Sequence, residues 1–135
     1  MAKETGLGWT TFAVDNAAGS AQNIRNDVNS LEFATPRAIL ETTGLDVSAF
    51  ERLLALADFT VSANGTFNDA SNMSHAVLST VPSTSVARTT TITVSGQTLA
   101  GELLYSDYAL SRGDDGSLKW TTSGSLADGV VPTWA

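Results

Sequence analysis

The chain has 135 residues, enough for one domain that buries its own core. Fourteen acidic residues against seven basic ones give a net charge of −7, which disfavours gripping a phosphate backbone. The absence of cysteine excludes disulfides, thiolate metal sites and cysteine nucleophiles, and no apolar run approaches the ~20 residues of a membrane helix.

In chain order, the N-terminus Met1-Ala2-Lys3-Glu4 leads into no apolar stretch, so no secretory signal is read and synthesis in the cytoplasm is expected. Strands are predicted over about 9–14 and 27–34. Residues 34–45, with Pro36 and Gly44, read as a long loop or arm. Ser48-Ala49-Phe50-Glu51 fits a capping box, and Phe50, Leu53, Leu54 and Ala57 then follow at helical spacing. Phe59, Val61 and Ala63 alternate with polar residues, and Asn64-Gly65 offers a type I′ hairpin turn before Thr66 and Phe67. A second short helix is predicted over about 72–80, with Asn72 as N-cap and Met73, Ala76 and Val77 on one face. Threonine-rich alternation over 86–95 suits a half-exposed strand. A turn at Ser95-Gly96-Gln97 leads into a long strand over 98–112. The loop Gly113-Asp114-Asp115-Gly116 returns the chain to a partner strand over 117–123, with Leu118 and Trp120 on one face. The sum is a single, mainly β domain: an antiparallel sandwich or barrel with one or two short flanking helices and a long loop arm.

Chemistry is sparse. The only histidine, His75, lies opposite the apolar face of its expected helix and reads as a surface residue. No Gly-x-Ser-x-Gly elbow accompanies it. Asp114-Asp115-Gly116 lacks the spaced oxygens and closing glutamate of a calcium loop. Gly6-Leu7-Gly8 lacks the third glycine and the lysine of a phosphate loop. Basic residues are scattered singly, and no carboxylate pair is marked as a hydrolytic dyad. An enzyme is not the expectation, and neither a metal nor a cofactor is implied.

Several segments nevertheless form a pattern. They are Leu31-Glu32-Phe33-Ala34-Thr35-Pro36-Arg37, Thr43-Gly44-Leu45-Asp46, 51–59 and 64–68. The C-terminal part adds Thr98-Leu99-Ala100-Gly101-Glu102, Tyr108-Ala109-Leu110-Ser111-Arg112 and 127–134. In this order and spacing, over roughly three-quarters of the chain, the sequence resembles the major tail tube proteins of tailed bacteriophages. The likeness is to the short form of long non-contractile tails, or to a related tube such as that of a gene transfer agent.

The resemblance implies a structural virion protein of the tail. Its copies would form hexameric rings stacked into a hollow tube through which phage DNA passes without specific binding. Partners would be other copies, the tape measure and further tail proteins, with no membrane insertion. Four inner strands from each of six copies would give a circumference of at least ~115 Å and a bore on the order of 40 Å between backbones. Asp58, Glu102 and Asp107 are the candidate carboxylates facing that bore, where they would repel phosphates. Ala34, Thr35, Pro36, Arg37, Thr43 and Gly44 belong to the candidate inter-ring arm. Trp9 and Trp134 are candidate terminal anchors, either on neighbouring subunits or on the domain's own core. The competing reading is a β-sandwich binding module of a virion surface, neck or tail end.

Overall fold

The structure, a computed structural model, describes residues 8–135. Lys3 and the Gly6-Leu7 pair lie outside the described residues. The chain is mainly β, with one antiparallel seven-stranded sheet and a separate two-stranded ribbon. In chain order the elements are β1 (Trp9–Asp15), β2 (Ala21–Asn23), a 3-10 turn (Arg25–Asp27), β3 (Val28–Ala34), β4 (Arg37–Glu41), β5 (Arg52–Ala57) and β6 (Thr60–Thr66). They continue with α1 (Ser74–Leu78), β7 (Arg88–Val94), β8 (Gln97–Arg112) and β9 (Leu118–Leu126). The large sheet runs β2-β1-β7-β8-β9-β6-β3.

Alternation divides this sheet into two faces. Phe12, Val14, Val61, Ala63, Ile92, Leu99, Leu103 and Trp120 turn inward and are buried. Phe59, Ile24 and the α1 residues Val77 and Leu78 complete the core. The sheet curls around it until distant strands meet. Trp9 of β1 stands edge-on to Phe33 of β3 at 5.6 Å between ring centroids. The open edge of β1 is blunted by the segment that follows β2. Ile24 N–H donates to the Phe12 carbonyl, Asn23 Nδ2 to Thr10 and Arg25 Nη1 to Trp9. Capped carbonyls cannot recruit a foreign strand.

Two buried polar side chains hold the elements together. Arg88, 1% exposed, donates to the carbonyls of Asp15 and Val77 and to Thr80 Oγ1, joining β1, α1 and the segment after it. Burial lowers the pKa of its guanidinium, while Tyr105 and Asp15 oppose that shift. Asp27 accepts from Asn68 Nδ2 and from the Ser74 N–H, both at 3.0 Å, and so satisfies a free donor at the start of α1. Nearby in the sheet, burial raises the Tyr105 phenol well above its usual range, and Thr90 Oγ1 lies 2.7 Å from it.

Five expectations are corrected. The segment with helical spacing after Phe50 is the strand β5, paired with β4 through Ile39↔Leu54 and Leu40↔Leu53. A lone short helix is marginal, and cross-strand leucine pairs outweigh its propensity. The arm is therefore a paired ribbon and not an open loop. Asn64-Gly65 is no turn: both lie inside β6, paired with Thr121 and Trp120. Gly65 is required there because a Cβ would fall 2.0 Å from the Asp27 carbonyl oxygen and 2.8 Å from the Trp120 ring. The helix at 72–80 shrinks to Ser74–Leu78. Asn72 sits at φ 63°, and α1 buries Ser74, Val77 and Leu78 while Ala76 stays exposed. His75 is half-buried, with Nδ1 3.1 Å from the Tyr108 hydroxyl and its ring 4.7 Å from that of Phe67. The two-residue turn Ser95-Gly96 does form, with both residues at positive φ as a type I′ hairpin demands.

Candidate functional surfaces

Three surfaces of this chain stand out. The first is the outer face of the large sheet. Pairing across β3, β6, β9 and β8 sets side chains in rows. One row reads Ala34, Thr60, Ser125, Leu104, and the next Glu32, Ser62, Ser123, Asp107. A third reads Ser30, Asn64, Thr121, Ala109, and a fourth Thr66, Lys119, Ser111. Small hydroxyl side chains dominate, and two carboxylates share one row. Across β7 and β8 the same face carries Thr89, Thr91, Thr93, Ala100 and Glu102. Such a wall offers hydration without a cluster of cations for phosphate.

The structure brings two of the three candidate acids onto this wall. Asp107 follows a bulge in β8 and is exposed. Glu102 is half-buried and accepts from Thr89 Oγ1. Asp58 stands apart at the root of the arm, where its Oδ1 accepts from the Phe59 N–H at 2.8 Å. Glu32 was missed by sequence reasoning. Its signal was available, since it alternates with Leu31 and Phe33 in a strand whose other face is apolar.

The second surface is a pair of strand edges. β3 ends the sheet with one edge unpaired. β7 covers β8 only from Gln97 to Leu103, so residues 104–112 of β8 have a partner on the β9 side alone. The four strands bearing the polar rows are thus open on both sides.

The third surface is the arm. Ala34 closes β3, Thr35 and Pro36 lead out, and the Arg37 Nε–H donates to the Ala55 carbonyl at 2.9 Å. At the far end Thr43 Oγ1 accepts from the Glu51 N–H and donates to Glu41 Oε1, next to Gly44. Of the six arm candidates, Ala34 is the last residue of β3, Thr35, Pro36 and Arg37 form the root, and Thr43 and Gly44 lie beyond the end of β4. What they frame is apolar. Ile39 and Leu54 lie on one face of the ribbon, Leu40 and Leu53 on the other, and these four and Leu56, beside the bulge, are all exposed. Leu45 and Phe50 extend the apolar character to the tip, where Arg52 stacks 4.6 Å over the Phe50 ring. Exposed leucine on both faces of an isolated ribbon needs cover from both sides.

The tryptophan candidates converge on one ring. Phe33 lies between Trp9 and Trp134, the latter tilted at 5.9 Å. Ala135 exchanges backbone hydrogen bonds with Thr98, which ties the C-terminus to β8. Trp134 remains half exposed.

Among the described residues, no group of three or more His, Asp or Glu side chains is placed to hold a metal ion. No helix among them is long and apolar enough to cross a membrane.

No protein-family model matches the chain, and no curated protein matches it either. Solved structures do. A chain from the tail of an empty gene transfer agent particle, refined helically with C6 symmetry, superposes with a TM-score of 0.75. The match covers 98% of this chain and 99% of that one at 13% identity. A chain from the virion of a native gene transfer agent particle gives a TM-score of 0.70, 10% identity and coverage of 98% and 99%. The chain shares its fold with a chain of a gene transfer agent tail and with one of a gene transfer agent virion.

Proposed function

We propose that this protein is the repeating subunit of a phage-like tail tube, assembling with itself and with other tail proteins around passing DNA. The observation that carries the reading is the fold likeness to a tail chain over 98% of the sequence. The geometry supports it at two levels.

Laterally, β8, β9, β6 and β3 alternate in direction, so β3 is antiparallel to β8. Rotation about a ring axis preserves strand direction. The free edge of β3 in one copy then meets residues 104–112 of β8 in the next as an antiparallel pair. Four strands per copy keep the alternation around a closed barrel, which leaves no edge. The rows containing Glu32 and Asp107 face the bore, with Glu102 at the margin. Axially, the arm reaches the adjacent ring. In this arrangement DNA meets hydroxyls and carboxylates, a surface that repels phosphate and lets it slide.

Negative-stain micrographs of the purified protein test the reading. Tubes or six-fold rings are expected, whereas persistent monomers at high concentration favour a binding module instead. The bore assignment has its own test. Changing Glu32 and Asp107 to lysine is expected to turn preformed tubes from non-binders into binders of short duplex DNA. That binding should fall steeply as salt rises from 50 to 200 mM, a range over which phosphate contacts weaken by orders of magnitude. Tubes of this variant that retain no more DNA than wild type place these rows elsewhere.

A further inference from the structure

The tube reading leaves open what receives the arm, and the topology singles out one place. β6 begins at Thr60, beside the arm root, and ends at Thr66, which pairs with Lys119 next to the β8–β9 turn. Seven residues of strand separate these ends by roughly 20 Å. At the end remote from the arm, the β8–β9 hairpin runs past the core and leaves Leu110 and Leu118 exposed. Both belong to the core-side face: Leu110 pairs with buried Trp120, and Leu118 lies two residues before it. The Phe67 N–H donates to the Leu118 carbonyl at 3.1 Å, which holds the Phe67 ring close by. The His75 ring is tilted against that of Phe67 and lies 6.0 Å from Tyr108 between ring centroids. Phe67, His75, Tyr108, Leu110 and Leu118 thus form a shelf rimmed by strand ends, apolar except for the His75 Nδ1 and the Tyr108 hydroxyl, which lie 3.1 Å from each other.

Resting on the tube reading, we propose that this shelf is the docking site for the β4–β5 arm of a second copy in the adjacent ring. Arm and shelf lie at opposite ends of the same strands. Neither finds its partner within one chain, because an arm would have to cross the length of the sheet to reach its own shelf. Translation along the strand direction brings the arm of one copy onto the shelf of the next. The contact is heterologous, with one donor and one acceptor per copy, so it propagates without closing. One face of the ribbon, Leu40 with Leu53 or Ile39 with Leu54, lies on the shelf. The other face is left for a lateral neighbour.

Complementary variants test the pairing. Leu53→Glu with Leu54→Glu destroys the donor and keeps the shelf, whereas Leu110→Gln with Leu118→Gln destroys the acceptor and keeps the arm. Neither is expected to elongate alone, and both should keep the wild-type circular dichroism spectrum because all four side chains are exposed. Mixed in equal amounts, they are expected to form a species of twice the mass of either variant's resting assembly by analytical ultracentrifugation, and nothing longer. A shelf variant that forms tubes like wild type, or a mixture that forms no such species, overturns the shelf while wild-type tubes leave the tube reading standing. Wild-type protein that forms neither rings nor tubes overturns the tube reading itself.

Discussion

Replacing Leu53 or Leu54 by glutamate, each alone, is expected to abolish tube formation while leaving the fold intact. The two side chains point to opposite faces of the ribbon, since Leu53 pairs with Leu40 and Leu54 with Ile39. They are 61% and 55% exposed in one chain, so a carboxylate at either place meets water in the free subunit and costs its fold little. In an assembled tube each leucine that becomes covered contributes roughly 1.5–3 kcal/mol. A glutamate forfeits that contribution and adds the desolvation of an unpaired charge. Every 1.4 kcal/mol is about tenfold in affinity, and a ring engages all its arms at once, so the loss multiplies around the ring. Sedimentation and micrographs at matched concentration measure the effect, with a thermal melt to confirm the fold. If one of the two variants forms tubes as readily as wild type, the corresponding face is not covered and the ribbon lies on a single partner.

The second large effect falls on the fold itself. Changing Arg88 to methionine is expected to cost about 2–4 kcal/mol of stability, a substantial share of the 5–15 kcal/mol typical of a domain. Methionine fills much of the volume but donates nothing. Two of the three acceptors are backbone carbonyls, of Asp15 and Val77, which no second substitution can remove. The Val77 carbonyl would stay buried and unsatisfied, at about 1–3 kcal/mol, and the half-buried Asp15 carbonyl would lose the same donor. Lysine is expected to rescue only part of the loss, because an ammonium cannot copy the planar fork that reaches β1, α1 and Thr80 together. Urea unfolding measures both. A methionine variant within about 0.5 kcal/mol of wild type would mean that the three hydrogen bonds contribute almost nothing net.

Strand order was most legible where alternation is strict. β7, β8 and β9 were readable to within a few residues, because threonine, serine and apolar positions alternate and the turns carry glycine. The arm was legible as an excursion but not as a ribbon. Leu53, Leu54 and Ala57 satisfy helical spacing, yet the unbroken run from Leu53 to Ala57 also fits a strand covered on both faces. Periodicity cannot choose between the two. The pairing with Ile39 and Leu40 does, across a dozen intervening residues. Asn64-Gly65 misled for a comparable reason. The dipeptide has turn chemistry, but the glycine answers a crowded site made by Asp27 and Trp120, neither of which is near it in sequence. The support of α1 by Asp27 was equally invisible, since 47 residues separate the donor from the acceptor. Of the candidate acids, Glu102 could be placed by strand parity, whereas Asp107 reaches the same face only through the bulge after Tyr105, which alternation does not show. Asp58 could not be placed, because the boundary between arm and sheet was misplaced.

The ribbon that is apolar on both faces has a thermal consequence. Burial of leucine and isoleucine is driven at room temperature almost wholly by entropy and carries a large negative heat-capacity change. Contacts of this kind weaken on cooling, unlike ion pairs or sheet hydrogen bonds. In a tube whose rings are joined by such arms and whose barrels are closed by backbone pairing, cold would loosen the junctions between rings before the rings themselves. The axial and lateral bonds of the assembly would then be separable by temperature alone.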